Sequence, residues 1–187
     1  MFSNKIIKIR KSKDGKALIE NFAYLSLLQV AGYIFPLITL PYLARVIGVD
    51  KFGEIAFATS VVVYFQTVTD WGFNYTATRD IAQNRNDIYK VSEIFANVMG
   101  AKLLLMILST AIFAICIYFI PFLYDKRLLL WLTFLYIPGI LMFPDWFFQA
   151  MEKMKYVTIM NVFSKLLFTV LVFVIIKNKE DYIYQPV

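Results

Sequence analysis

The sequence predicts an all-α fold, a polytopic transmembrane helical bundle, on three observations. Apolar residues fill 60% of the 187 positions, against roughly 45–50% in an ordinary soluble domain, and the mean hydropathy is +0.64. The 19 Lys and Arg and 13 Asp and Glu residues cluster in short stretches separated by five long apolar gaps. None of the gaps alternates apolar and polar residues as a transmembrane β-strand would, and a helix is the only open-chain structure that satisfies every backbone N–H and C=O inside lipid. The composition also excludes chemistry. There is no histidine, and the single Cys116 has no internal disulfide or metal-cluster partner. A Gly-rich phosphate loop, GxSxG and HExxH are all absent, so no metal, cofactor or catalytic residue is expected.

In chain order, residues 1–21 form a basic leader carrying Lys5, Lys8, Arg10, Lys11, Lys13 and Lys16. It lacks the short apolar stretch and small-residue cleavage site of a signal peptide. Its expected role is to hold the first helix at the cytoplasmic face and touch anionic lipid. The bundle, residues 22–176, divides into expected spans at about 22–43, 55–76, 94–120, 128–148 and 157–176, each close to or above the roughly 20 residues that cross a hydrocarbon core. Residues 177–187 are expected to be a periplasmic loop, and the chain reads as truncated after Tyr184-Gln185-Pro186-Val187. With the N-terminus inside, the inner segments hold 11 basic residues: the six of the leader, Arg79, Arg85, Lys90, Lys153 and Lys155. The outer ones hold Arg45, Lys51, Lys126, Arg127, Lys177 and Lys179, which favours a cytoplasmic N-terminus.

The spans carry aligned polar residues. In the first, Gln29, Gly32, Pro36 and Thr39 share one helical face, and Pro36 and Pro41 are expected to bend the helix. Pro138 and Pro144 repeat that feature in the fourth, and bent helices at membrane depth mark transport pathways as well as packing kinks. The second span stacks Gln66, Asp70 and Asn74 at four-residue spacing, with Asp70 roughly 13 Å below the boundary by helix rise. Asp145, with Gln149 one turn on, lies roughly 10 Å deep. The third span holds Lys102, and the fifth holds Asn161, Lys165 and Thr169 on one face, Lys165 near the midplane.

An ionisable group near the bilayer centre costs at least about 2.5–3.5 kcal/mol, so these groups face one another or water. One arrangement is a pair of interhelical ion pairs, Asp70 with Lys102 and Asp145 with Lys165. The other is a hydrated cavity in which Lys165 holds a phosphate as a point charge and Asp70 or Asp145 takes up H⁺ or Na⁺. Arg45 fits interfacial snorkelling, and Glu180-Asp181 a solvated turn. Net charge +6, concentrated in the leader, gives no support to nucleic-acid binding.

Three blocks resemble a known family. Pro36-Leu-Ile-Thr-Leu-Pro-Tyr-Leu-Ala-Arg45-Val-Ile-Gly48-Val-Asp-Lys-Phe52-Gly53 is similar to its first helix and following loop. Thr69-Asp70-Trp-Gly-Phe-Asn74-Tyr-Thr-Ala-Thr-Arg79-Asp-Ile-Ala-Gln-Asn-Arg85 is similar to the end of the second helix. Pro144-Asp145-Trp146-Phe147-Phe148-Gln149-Ala-Met-Glu152-Lys153-Met-Lys155-Tyr156 is similar to the end of the fourth. The family is that of Wzx-type O-antigen or polysaccharide repeat-unit flippases, within the multidrug, oligosaccharidyl-lipid and polysaccharide exporter superfamily.

The resemblance implies the first lobe of a two-lobe transporter of about twelve helices, lacking its sixth helix and second lobe. It further implies a bacterial inner-membrane protein, not an enzyme, that flips undecaprenyl-pyrophosphate-linked oligosaccharide by alternating access. The implied partners are that lipid, membrane lipid, an H⁺ or Na⁺ coupling ion and other polysaccharide-assembly membrane proteins. Its central cavity maps onto Asp70, Lys102, Asp145 and Lys165, with Arg45 the matching position in the first block. The expected substrate-binding residues are therefore Lys165, Lys102, Arg45, Asn161, Gln66 and Asn74, and the coupling residues Asp70 and Asp145. Three alternatives stay open: another exporter of the superfamily, a membrane-embedded polysaccharide polymerase, and a non-functional truncated remnant.

Overall fold

The computed structural model describes residues 13–185, with side chains described from Ile19 onward. The leader residues Lys5, Lys8, Arg10 and Lys11, the side chains of Lys13 and Lys16, and Pro186-Val187 lie outside the described residues. The rest is helical: α1 (Lys13–Asp70), α2 (Phe73–Gln83), α3 (Ile88–Phe119), α4 (Pro121–Tyr124), α5 (Arg127–Phe134), α6 (Tyr136–Met142), α7 (Asp145–Ala150) and α8 (Met154–Ile175), followed by a 3-10 turn, Lys179–Tyr184. No strand occurs among the described residues.

Four segments are long and apolar enough to cross a membrane: Ile19–Gln83, Ile88–Phe119, Arg127–Ala150 and Met154–Ile175. The expected count of five is corrected in form, because the first two expected spans fall within one 65-residue segment. That segment is not straight. Gly48 has φ 82 and ψ 164, a backbone region essentially confined to glycine, and it divides α1 into two limbs.

Contacts fix the directions of these limbs. Thr158 Oγ1 donates to the Tyr24 carbonyl at 3.0 Å and Tyr42 Oη to the Ile176 carbonyl at 2.8 Å, so the first limb runs parallel to α8. In the second limb Phe57 meets Phe122, Phe65 meets Phe113 and Thr69 meets Ser109, so it runs antiparallel to α3. Lys126 pairs with Glu54 at one end of the bundle and Arg85 with Glu152 at the other. The chain therefore reverses at Gly48.

In the first segment the prolines do not end the helix. Helix α1 continues through Pro36 and Pro41, and its breaks fall at Gly48 and at Trp71-Gly72, where φ is 41 and 77. In the Arg127–Ala150 segment the prolines do interrupt the helix. Pro138 cannot donate to the Phe134 carbonyl, and α5 ends there. Phe143, ahead of Pro144, leaves helical geometry at φ −118 and ψ 89. Helix α3 starts cleanly because the Asp87 side chain accepts from the Tyr89 and Lys90 N–H groups.

Two hydrophobic cores result. The larger joins both limbs of α1 to α3, α5, α6 and α8 through Leu43, Ile47, Val62, Phe113, Ile117, Leu130, Phe134, Ile137 and Val172. Phe113 stacks on Phe134 with ring centroids 4.4 Å apart. The smaller, around Ala77, Ile81, Val91, Trp146 and Ala150, joins α2 and α7 to the start of α3. In lipid no water is expelled when helices meet, so these cores stabilise the bundle through close packing.

Candidate functional site

A cavity of about 1060 Å³ borders the smaller core, with Trp146 common to both. It is walled by the second limb of α1, by α2 and α3, and by α6, α7 and α8, and none of its described lining residues comes from the first limb. Its polar lining includes Gln66, Asp70, Asn74, Lys102, Asp145 and Asn161, with Thr78 and Ser164 beside them and the aromatic residues Tyr75, Tyr136, Phe143 and Trp146.

The most constrained group is Lys102, only 3% exposed. Its Nζ donates to Asp70 Oδ1 at 2.9 Å and to Asn74 Oδ1 at 2.6 Å, and lies 5.9 Å from the Trp146 ring centroid. An ammonium carries three N–H donors and no acceptor, so two are engaged by oxygens and the ring takes up part of the remaining charge. Asp70 is the last residue of α1 and Asn74 lies in the first turn of α2, either side of the Trp71-Gly72 break. A second, water-sized cavity of about 10 Å³ touches Gln66, Thr69, Asp70 and Lys102.

Asp145 opens α7 beside the second break and is held more loosely. Asn161 Nδ2 reaches its Oδ2 at 3.4 Å while bonding the Val157 carbonyl at 3.0 Å. Thr78 Oγ1, which donates to the Asn74 carbonyl in its own helix, also lies 3.3 Å from the Trp146 carbonyl and so brings α2 against α7.

Six of the residues expected from sequence come together here: Gln66, Asp70, Asn74, Lys102, Asp145 and Asn161. The expected Asp70–Lys102 ion pair is present at 2.9 Å. The expected Asp145–Lys165 pair is not among the ion pairs of the described residues, and Lys165 is not in the cavity lining. Lys165 Nζ lies 3.4 Å from where a Cβ on Gly32 would stand, in the seam between the first limb and α8. Arg45 is exposed, on the first limb three residues before the Gly48 reversal, and does not line the cavity. Sequence reasoning missed the walls Tyr75, Tyr136 and Trp146, because 12 Tyr, 18 Phe and 3 Trp give an aromatic side chain no distinguishing signal. Nothing among the described residues groups three or more potential metal ligands.

The chain matches known proteins over nearly its whole length. The family profile described as "Polysaccharide biosynthesis protein" matches residues 18–187. Two curated proteins bearing the name "Putative O-antigen transporter" are similar to it. One, from Escherichia coli (strain K12), is 32% identical over 165 residues, and one, from Shigella dysenteriae, is 28% identical over 162 residues. The alignments cover 88% and 87% of this chain but 40% of each relative, so the chain spans two fifths of their length. No solved structure matches it significantly.

Proposed function

This chain belongs to the polysaccharide biosynthesis protein family, and from that premise we propose that it forms the cavity-bearing part of a transporter for lipid-linked oligosaccharide. The cargo is an O-antigen or capsule repeat unit on undecaprenyl pyrophosphate, flipped across the bacterial inner membrane by alternating access, with the N-terminus cytoplasmic. The observation that carries the reading is the cavity's chemistry. Gln66, Gln149 and Asn161 offer amides, Asp145 a carboxylate, and Tyr75 and Tyr136 rings with hydroxyls, all on helices of a membrane bundle.

Each sugar hydroxyl taken into hydrocarbon without a partner costs at least about 1–3 kcal/mol, so several sugars cannot cross unaided. Amides and carboxylates replace those lost water bonds, while the lipid chain stays in the bilayer. Lys102 has its donors engaged by Asp70 and Asn74 and supports the site's shape. Asp145, held only by one long bond from Asn161, is the group through which H⁺ or Na⁺ uptake would couple to movement. The contributions of Lys165 and Arg45 to cargo binding, which the family resemblance suggests, would require them to act from outside this cavity.

Binding of undecaprenyl-pyrophosphate-linked oligosaccharide to the chain in lipid nanodiscs tests the reading. Saturable binding is expected, weakened about tenfold, or 1.4 kcal/mol, by Asn161→Ala. Equal affinity for undecaprenyl pyrophosphate lacking sugar would contradict a sugar-binding cavity.

A further inference from the structure

Two helix breaks flank the cavity, and one buried ammonium spans the first of them. Trp71 and Gly72 separate α1 from α2, and Phe143-Pro144 separates α6 from α7. The helices beyond the two breaks pack on each other through Ala77, Ile81, Trp146 and Ala150. Their far ends are tied by Arg85 and Glu152 at 2.9 Å. Thus α2 and α7 make one paired unit that rests on the start of α3 through Val91 and Phe95, is entered through non-helical backbone at both breaks, and forms one wall of the cavity.

Trp71 is exposed and stands at φ 41, a conformation costing a non-glycine residue roughly 1–2 kcal/mol. Such a residue persists only when its surroundings over-determine it. Gly72, at φ 77, has nothing within 4 Å of a built Cβ, so the glycine is present for its torsion and not for space. The over-determination comes from Lys102. Its ammonium grips Asp70 on one side of the break and Asn74 on the other. Neutralising Asp70 alone would not call for Asn74, whose oxygen is the nearer of the two. At 3% exposure the ammonium is also poorly placed to meet cargo.

We propose that Lys102 is a positioning residue that clamps the Trp71-Gly72 joint and thereby fixes the α2–α7 unit as a movable wall of the cavity. Loss of the clamp lets that wall shift at its two breaks against the start of α3, while the larger core stays as it is. This assignment does not depend on the identity of the cargo.

The test uses spin labels on Tyr75→Cys in α2 and Ser164→Cys in α8, both lining the cavity, in a Cys116→Ser chain in lipid nanodiscs. A control pair, Val63→Cys and Ile112→Cys, reports on the second limb and α3 beside the larger core. In the parent both distance distributions are narrow. Lys102→Met is expected to broaden the Tyr75–Ser164 distribution about twofold and leave the control unchanged. Asn74→Leu keeps the Asp70 ion pair but removes the grip beyond the break, and is expected to broaden it likewise. A narrow Tyr75–Ser164 distribution in Asn74→Leu would overturn the proposal, even if Lys102→Met disturbs the whole fold.

Discussion

The Lys126 end and the Arg85 end of this bundle are built on different principles. At the Lys126 end the two limbs of α1 run unbroken to the Gly48 reversal and the helices are held by the larger core, in which Phe113 contacts Phe65, Trp131 and Phe134. Polar groups there close the end off. Glu54 pairs with both Lys51 and Lys126, and the 3-10 turn is fastened by reciprocal bonds between Asn178 and Asp181. At the Arg85 end the core has five buried residues, the helices break twice, and the polar residues line a cavity. Asp70, Asn74, Lys102, Asp145 and Asn161 thus gather at the end where the core is smaller, while Lys165 lies in the seam with the first limb.

The largest effect is expected at Lys102. Replacing it by Met leaves the Asp70 carboxyl without its partner, a loss of about 3–5 kcal/mol for a desolvated pair. Adding Asp70→Asn is expected to recover most of that loss, read as the unfolding midpoint in detergent micelles. A double variant no more stable than the single one would mean that the unpaired carboxyl is not the source of the loss.

The two positive-φ glycines set the ends against each other directly. Gly48→Ala forces a Cβ into a region essentially closed to it, at a cost near the top of about 1–3 kcal/mol. Gly72 has φ 77 and ψ 4, the left-handed helical region, and open space around a Cβ, so Gly72→Ala is expected to cost only about 1 kcal/mol. Equal losses would show that the two turns are alike, contrary to this account.

Smaller effects are expected at the tips. The Arg85–Glu152 pair is partly exposed, at 32% and 55%, and Arg85→Gln should shift stability by less than about 1 kcal/mol. The smallest effect is pH-linked. Backbone N–H bonds from Lys177 and Asn178 hold the exposed Asp181 carboxyl below the usual aspartate range. A depressed folded-state pKa means its contribution is complete above the ordinary value of about 4 and fades as pH falls through the lower folded value. Hydrogen exchange confined to residues 177–185 should therefore speed up only in acid, and an Asp181→Asn chain should lose that dependence.

The sequence made the helical class legible because no other open chain satisfies its backbone in lipid, and it made the Asp70–Lys102 pair legible because charges at that depth need partners. Its four-residue spacing of Gln66, Asp70 and Asn74 assumed a continuous helix. The helix breaks at Trp71-Gly72, and the residues still converge because Lys102 gathers both sides. Lys165 shows what depth alone cannot specify. Its distance from either charged boundary places it near the midplane, yet not around the helix. It shares a face with Thr158 and Val172 at seven-residue spacing and meets the first limb, whereas Asn161 and Ser164 face the cavity. The boundary between the first two spans is marked by Arg45, Asp50, Lys51 and Glu54, but that charged gap does not show that helix persists on both sides of a reversal made at Gly48 alone.

Thiol protection tests the central claim, that the polar cavity at the Arg85 end receives the cargo. Asn161→Cys and Lys165→Cys, each in a Cys116→Ser chain in nanodiscs, would be treated with a charged maleimide with and without undecaprenyl-pyrophosphate-linked oligosaccharide. The account predicts that Asn161→Cys reacts and is shielded by the oligosaccharide lipid, while Lys165→Cys reacts slowly and is unaffected by it. Shielding at Lys165→Cys with none at Asn161→Cys would contradict it and move the binding site to the seam between the first limb and α8.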